Sequence, residues 1–138
     1  GRIITPKIVD KFIDARGNTI PIENEKQVQV IKSSTANRVQ KILIKTVNEG
    51  TGRKTKTPGL VIGGKTGTAH IVERGEYVNS YNTAFLGFAN DLQNKYTMGV
   101  IVIQPNSSQF AAQTAVPVFK NAIDIMVEEG YLKPNIVQ

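Results

Sequence analysis

With 138 residues, 40% hydrophobic and 20% charged, the chain has the make-up of one globular domain, able to bury about two-thirds of the surface that its unfolded form exposes. The absence of cysteine excludes disulfides and thiolate metal sites, and the lone histidine, His70, cannot form a metal cluster by itself. Seventeen Lys and Arg against eleven Asp and Glu give a formal net charge of +6. That balance attracts anionic partners in general, but the charge is scattered, and its densest point, Arg53, Lys54 and Lys56, reads as a solvated loop rather than a dedicated binding patch.

In chain order, apolar residues alternate or cluster from Ile3 to Ile13, Arg16-Gly17-Asn18 supplies turn chemistry, and Thr19 to Ile22 returns as a strand. From Ser34 to Glu49 the period lengthens. Val39, Ile42, Leu43 and Val47 form one helical stripe, with Ser33, Ser34 or Thr35 able to cap the first amides and Gly50 suited to a left-handed terminus. A polar, basic loop from Thr51 to Pro58 follows.

Leu60 then opens an extended segment that runs through the glycines to Val72. Further strands are expected at Thr83–Ala89 and Tyr96–Gln104, joined by the short polar segment Asn90–Lys95. The run Val100-Ile101-Val102-Ile103 predicts burial on both faces. Successive strands with short connections imply an antiparallel meander. Val116, Phe119, Ile123, Met126 and Val127 then recur at helical spacing, with Pro117 in the first turn and Gly130 as the stop.

No apolar run reaches the roughly 18 residues of a membrane span, and the opening residues lack the pattern of a secretion signal. The start at Gly1-Arg2-Ile3, without an initiator methionine, predicts that any targeting segment lies upstream.

Two motifs compete for the same residues. Gly59-Leu60-Val61-Ile62-Gly63-Gly64-Lys65-Thr66 fits the phosphate-loop pattern letter for letter. A true phosphate loop follows a buried strand and opens a helix at its lysine; here a polar loop precedes Gly59, and the residues after Thr66 favour a strand. The alternative is Lys65-Thr66-Gly67-Thr68, a Lys-Thr-Gly element. On a strand, alternation sends Thr66 and Thr68 to one side, where two hydroxyls can hold a carboxylate, and Lys65 to the other, where it raises the positive potential. Gly67, without a Cβ, admits a ligand or another backbone. A free edge on such a strand can also bind an extended peptide.

The blocks Gly50-Thr51-Gly52, Gly64-Lys65-Thr66-Gly67-Thr68-Ala69, Tyr81 with Ala84-Phe85-Leu86-Gly87-Phe88-Ala89, and Ala115-Val116-Pro117-Val118-Phe119 together resemble the C-terminal third of class B penicillin-binding proteins. Thr5-Pro6-Lys7-Ile8-Val9 is similar as well, so the resemblance reaches nearly the whole chain. It implies a partial serine β-lactamase/transpeptidase-like fold, an α+β arrangement of antiparallel sheet and packed helices, with residues 1–138 forming a single incomplete domain.

By the same resemblance the parent is a membrane-anchored D,D-transpeptidase of the bacterial inner membrane, working on the periplasmic side without a cofactor. Its partners would be peptidoglycan stem peptides, β-lactams and the remainder of its own domain, with no nucleic acid. Lys65 would assist proton movement, Thr66, Gly67 and Thr68 would bind substrate, and the Thr68 backbone N–H would be an oxyanion-hole donor.

The resemblance breaks in two places. The family's S-x-x-K nucleophile motif is missing, since none of Ser33, Ser34, Ser80, Ser107 or Ser108 has a lysine three residues on. Ser80-Tyr81-Asn82 matches S-x-N but follows the Lys-Thr-Gly element instead of preceding it, and reads as coincidence. The chain is therefore expected to be inactive alone. An exposed apolar face is expected where the rest of the domain would pack.

His70, where the family often has a polar amide, reads as structural. Glu73 with Glu76, and Glu128 with Glu129, read as solvated turn and helix-end residues. A peptide-carboxylate-binding module without chemistry, a phosphate-loop nucleotide binder and a serine β-lactamase parent are the alternatives.

Overall fold

The computed structural model describes residues 1–22 and 27–135, in two compact units: Gly1–Arg38, and Val39 onward. The first unit carries two short antiparallel ladders, β1 (Arg2–Ile3) with β4 (Val28–Gln29), and β2 (Lys11–Ile13) with β3 (Thr19–Pro21). The expected Ile3–Ile13 strand is thus two strands with different partners. Asp14 makes the β2–β3 turn, because its carboxylate accepts the backbone N–H groups of Arg16 and Asn18, each at 2.8 Å, and Gly17 takes the left-handed φ of +85° that the reversal needs. The Asn18 side-chain amide, donating at 2.9 Å, contributes most to holding the Asp14 carboxyl below its usual range.

Helix α1 (Ser33–Glu49) crosses the boundary between the units. The carbonyl of Lys32 accepts the N–H groups of Thr35 and Ala36 at its start. Gly50 does not take a left-handed φ, contrary to expectation. The helix ends instead on the Thr46 carbonyl, which accepts the N–H groups of both Gly50 and Gly52 at 3.0 and 3.1 Å. Of its apolar stripe, Val47 is buried and Leu43 half-buried, whereas Val39 and Ile42 are exposed.

The second unit is built on the antiparallel meander β5 (Val61–Glu73), β6 (Glu76–Asn90) and β7 (Lys95–Ile103), with β5 and β7 at the edges. Arg74 and Gly75, both at positive φ, reverse the chain between β5 and β6, so β6 begins well before the expected Thr83. The register pairs Ile62 with Ala89, Gly64 with Gly87, Thr66 with Phe85 and Thr68 with Thr83. Period two therefore places these residues on one face.

Helix α2 (Ala115–Glu128) covers that face, with Pro117 in its first turn and Gly130, at φ +77°, just past its end. Phe85 and Phe119 meet edge to face at 4.7 Å, and with Val47, Ile62, Ala89, Ala115, Val116, Ile123 and Leu132 they form the buried core. An aromatic pair of this geometry adds about 0.5–1.5 kcal/mol beyond its area. Inside the core, Thr83 and Thr114 share a hydrogen bond at 2.7 Å, so neither buried hydroxyl is left unsatisfied.

The opposite face is open. Leu86, Ile101 and Ile103 stand 60%, 68% and 73% exposed, while Val100 and Val102 are half-buried. The expected double burial of β7 is therefore wrong. Its apolar residues run continuously because both faces are apolar, but among the described residues only one of them has a cover.

At the other end of the β6–β7 hairpin, Asp91 accepts hydrogen bonds from the backbone N–H groups of Gln93, Asn94 and Lys133 and from the Asn94 side chain. The Asn94 amide is the largest cause of an Asp91 carboxyl held far below the ordinary range.

Candidate active-site strand

The site begins with a crowded pair of glycines. A Cβ on Gly63 would lie 2.5 Å from the Phe88 ring and 3.0 Å from the Ile44 backbone nitrogen, and one on Gly64 would lie 2.5 Å from the Phe85 ring and 2.8 Å from the Leu86 carbonyl. Two missing side chains thus let β5 lie against β6 and α1 without a void.

Immediately beyond, the strand surfaces. Lys65, Gly67 and Thr68 are exposed and Thr66 is half-buried, all four within β5. A Cβ on Gly67 would meet only the Ala84 methyl, at 3.6 Å, so nothing inside this chain demands a glycine there.

The direction of each backbone group on the free edge follows from what holds its neighbours. The Thr46 hydroxyl bonds to the Gly64 carbonyl, and the Lys65 ammonium donates to the Thr66 carbonyl at 2.7 Å. Both donors lie off the ladder, so the even-numbered residues of β5 turn their carbonyls away from β6. In an antiparallel pair the two backbone groups of one residue point the same way. The irregularity in register lies further on, between His70 and Val72. The N–H of Thr68 therefore also points to the free edge.

Lys65 departs from the side expected for it. Its register partner is Leu86, on the open face, but its flexible stem carries the ammonium back around the edge, where it also donates to Thr66 Oγ1 at 3.2 Å. Lysine and threonine hydroxyl are thus brought together rather than kept on opposite sides. The same Thr66 Oγ1 lies 3.0 Å from Thr51 Oγ1, in the loop that follows α1. Sequence reasoning assigned no role to Thr51 or Thr46; the Gly50-Thr51-Gly52 block directly after a helix was the available signal.

The helix start that a phosphate loop requires is absent, because Lys65 and Thr66 lie in the middle of a strand that continues to Glu73. Ser80, Tyr81 and Asn82 lie inside β6 rather than beside it. The Asn82 carboxamide oxygen accepts the Gln104 N–H at 3.1 Å, tying β6 to the end of β7. His70 pairs with Tyr81 across the strands, with ring centroids 4.2 Å apart, and lies 5.4 Å from Tyr77. An open cavity of about 640 Å³ lies between the far end of the β5–β6 hairpin and the loop after β7, lined by Glu73, Tyr81, Gln104, Asn106, Ser107 and others; it includes none of Lys65–Thr68. Glu73 and Glu76 flank the hairpin turn as an exposed pair.

Comparison with known proteins converges on one family. Residues 1–124 match the family described as the penicillin binding protein transpeptidase domain. The chain is 33% identical over 138 residues to stage V sporulation protein D of Bacillus subtilis, covering 97% of this chain and 21% of that protein. It is 32% identical to a probable peptidoglycan D,D-transpeptidase PenA of Neisseria flavescens, covering 78% of this chain and 29% of that one. Among solved structures, the transpeptidase domain of Burkholderia pseudomallei penicillin-binding protein 3 aligns with a TM-score of 0.62 at 28% identity, over 75% of this chain and 32% of that one. A peptidoglycan synthetase from Bifidobacterium adolescentis aligns with a TM-score of 0.73 over 94% of this chain and 24% of that one; at 15% identity this speaks for the fold alone. The chain thus spans between about a fifth and a third of the proteins it matches.

Proposed function

Since the chain belongs to the penicillin-binding protein transpeptidase domain family, we propose that it is the Lys-Thr-Gly-bearing portion of a peptidoglycan D,D-transpeptidase whose serine nucleophile lies in another part of the protein. The observation that carries this reading is the free edge of β5, where the Lys65 ammonium, the Thr66 hydroxyl and the outward Thr68 N–H stand within four residues of one another. Such an edge does what acyl transfer from a D-alanyl peptide needs. The Thr66 and Thr68 hydroxyls bind the terminal carboxylate, with the Lys65 charge beside them. The Thr68 N–H is one of two donors to the oxyanion that forms when the serine attacks the penultimate carbonyl. A single donor of that kind is worth about 3 kcal/mol in other acyl-transfer enzymes. D-alanine then leaves, and an acceptor amine resolves the acyl-enzyme. A β-lactam presents a carboxylate and a strained carbonyl to the same groups and stops at the acyl-enzyme.

The open face of the sheet agrees with a partial domain. On this reading the exposed Leu86, Ile101 and Ile103 pack against the remainder of the transpeptidase domain. Among the described residues no helix is long and apolar enough to cross a membrane. The parent is assigned to the extracytoplasmic side of the bacterial inner membrane, held there by a segment outside these residues, as suits a chain with a relative named a probable peptidoglycan D,D-transpeptidase.

The test is labelling with a fluorescent penicillin, read by intact mass, on this chain and on its full-length parent. Acylation of the parent alone is the expected result. Adduct formation on this chain would place the nucleophile within it, and labelling of neither would leave a carboxylate-binding module without chemistry.

A further inference from the structure

Thr66 sits between two partners, and the chemistry of those partners decides what its hydroxyl can do. The Lys65 ammonium, 3.2 Å away, has no lone pair and can only donate. The Thr51 hydroxyl, 3.0 Å away, can donate or accept. A threonine oxygen has two lone pairs and one proton. If Lys65 and Thr51 both donate, the lone pairs are filled and the Thr66 proton is left over for an anion. If Thr51 instead accepts, it consumes the one proton that a carboxylate needs. A carboxylate arriving at Thr66 is acceptor-only and selects the first arrangement.

The loop that carries Thr51 is built to hold it there. The Thr46 carbonyl accepts the N–H groups of Gly50 and Gly52 on either side of it. Gly52 is itself buried, and a Cβ there would lie 3.2 Å from both the Phe85 ring and Val47. Two residues earlier on β5, the Thr46 hydroxyl engages the Gly64 carbonyl, and it also engages the Leu43 carbonyl at 2.7 Å. The end of α1 and its loop therefore make two side-chain rungs on this sheet edge, at Gly64 and at Thr66, and among the described residues no strand pairs with the edge from Thr68 onward.

From this geometry we infer that Thr51 is a positioning residue that orients the Thr66 hydroxyl proton toward the carboxylate of the acyl donor. The inference rests on the transpeptidase reading above and refines it. Thr51 acts through Thr66, so its effect falls on the ligand's carboxylate and not on the acylation chemistry as such.

The experiment uses the full-length parent with Thr51→Val, which keeps the shape and removes the hydroxyl, and Thr51→Ser, which restores it. Second-order acylation rates are measured with benzylpenicillin and with its methyl ester, in which the carboxylate is neutral. Thr51→Val should slow the free acid about tenfold, the loss of one hydrogen bond to a charged group, and leave the ester's rate unchanged. Thr51→Ser should keep the wild-type rate on both. An equal fall on acid and ester would mark general damage to the loop and overturn the inference, as would a Thr51→Val protein that reacts like the wild type. A wild-type parent that is not acylated at all would instead overturn the transpeptidase reading, and this refinement with it.

Discussion

The two halves of β5 obey opposite rules. Through Ile62, Gly63 and Gly64 the strand is buried, and it lacks side chains where Phe85, Phe88 and α1 come too close for a Cβ. From Lys65 to His70 it is largely exposed, carries polar side chains and turns backbone groups to a free edge. The contrast teaches that a working edge needs an anchor just behind it. On the proposed reading, donors that must meet an oxyanion cannot shift at the moment of reaction, and the tightly packed glycine pair holds the strand directly before Lys65.

That contrast can be broken from either side, and the core beneath the anchor gives the largest effect. Phe85→Ala removes a fully buried ring that supports both Gly64 and Phe119. It should cost about 3–5 kcal/mol, measured by urea unfolding of the chain. On the working side, Lys65→Met in the full-length parent should lower the penicillin acylation rate by about a hundredfold or more while the melting temperature holds. A drop in melting temperature of the size seen for Phe85→Ala would show that Lys65 is an anchor too.

The glycines sharpen the comparison. Gly64→Ala must displace the Phe85 ring or the strand and should destabilise by about 1–3 kcal/mol, whereas Gly67→Ala meets only the Ala84 methyl and should stay within about 0.5 kcal/mol. Equal losses from the two would erase the distinction between the halves.

The smallest effect lies outside β5 and depends on pH. Because the folded state lowers the Asp91 pKa, its contribution to stability is complete above the ordinary carboxylate range near pH ~4 and fades as pH falls below it. Asp91→Asn should therefore melt lower than the wild type at neutral pH, and the two melting curves should converge in acid. Parallel curves at every pH would mean that the turn does not depend on the charge.

Much of this was legible in the residues. The antiparallel meander, both helices, the Arg16-Gly17-Asn18 turn, the Gly130 stop and the placing of Lys65–Thr68 on a strand all follow from local pattern, because hydrophobic period and turn chemistry are properties of short segments. Two departures from the expected pattern have a clear physical reason. Val100–Ile103 looks doubly buried because its composition reports what each face prefers and not whether a partner covers it. Lys65 starts from the expected face, opposite Leu86, but its ammonium returns to Thr66 because period two fixes a Cβ and not the end of a four-carbon stem.

By itself, then, the sequence determined the order and kind of the elements and the Lys-Thr-Gly-Thr element that the second unit displays. Tertiary structure alone decided which face of the sheet is covered, that Gly63 and Gly64 are required by rings beside them, and that Thr51, fifteen residues before Thr66, reaches its hydroxyl. These are meetings between residues distant in the chain, and no local propensity encodes them until the helix and strands have packed.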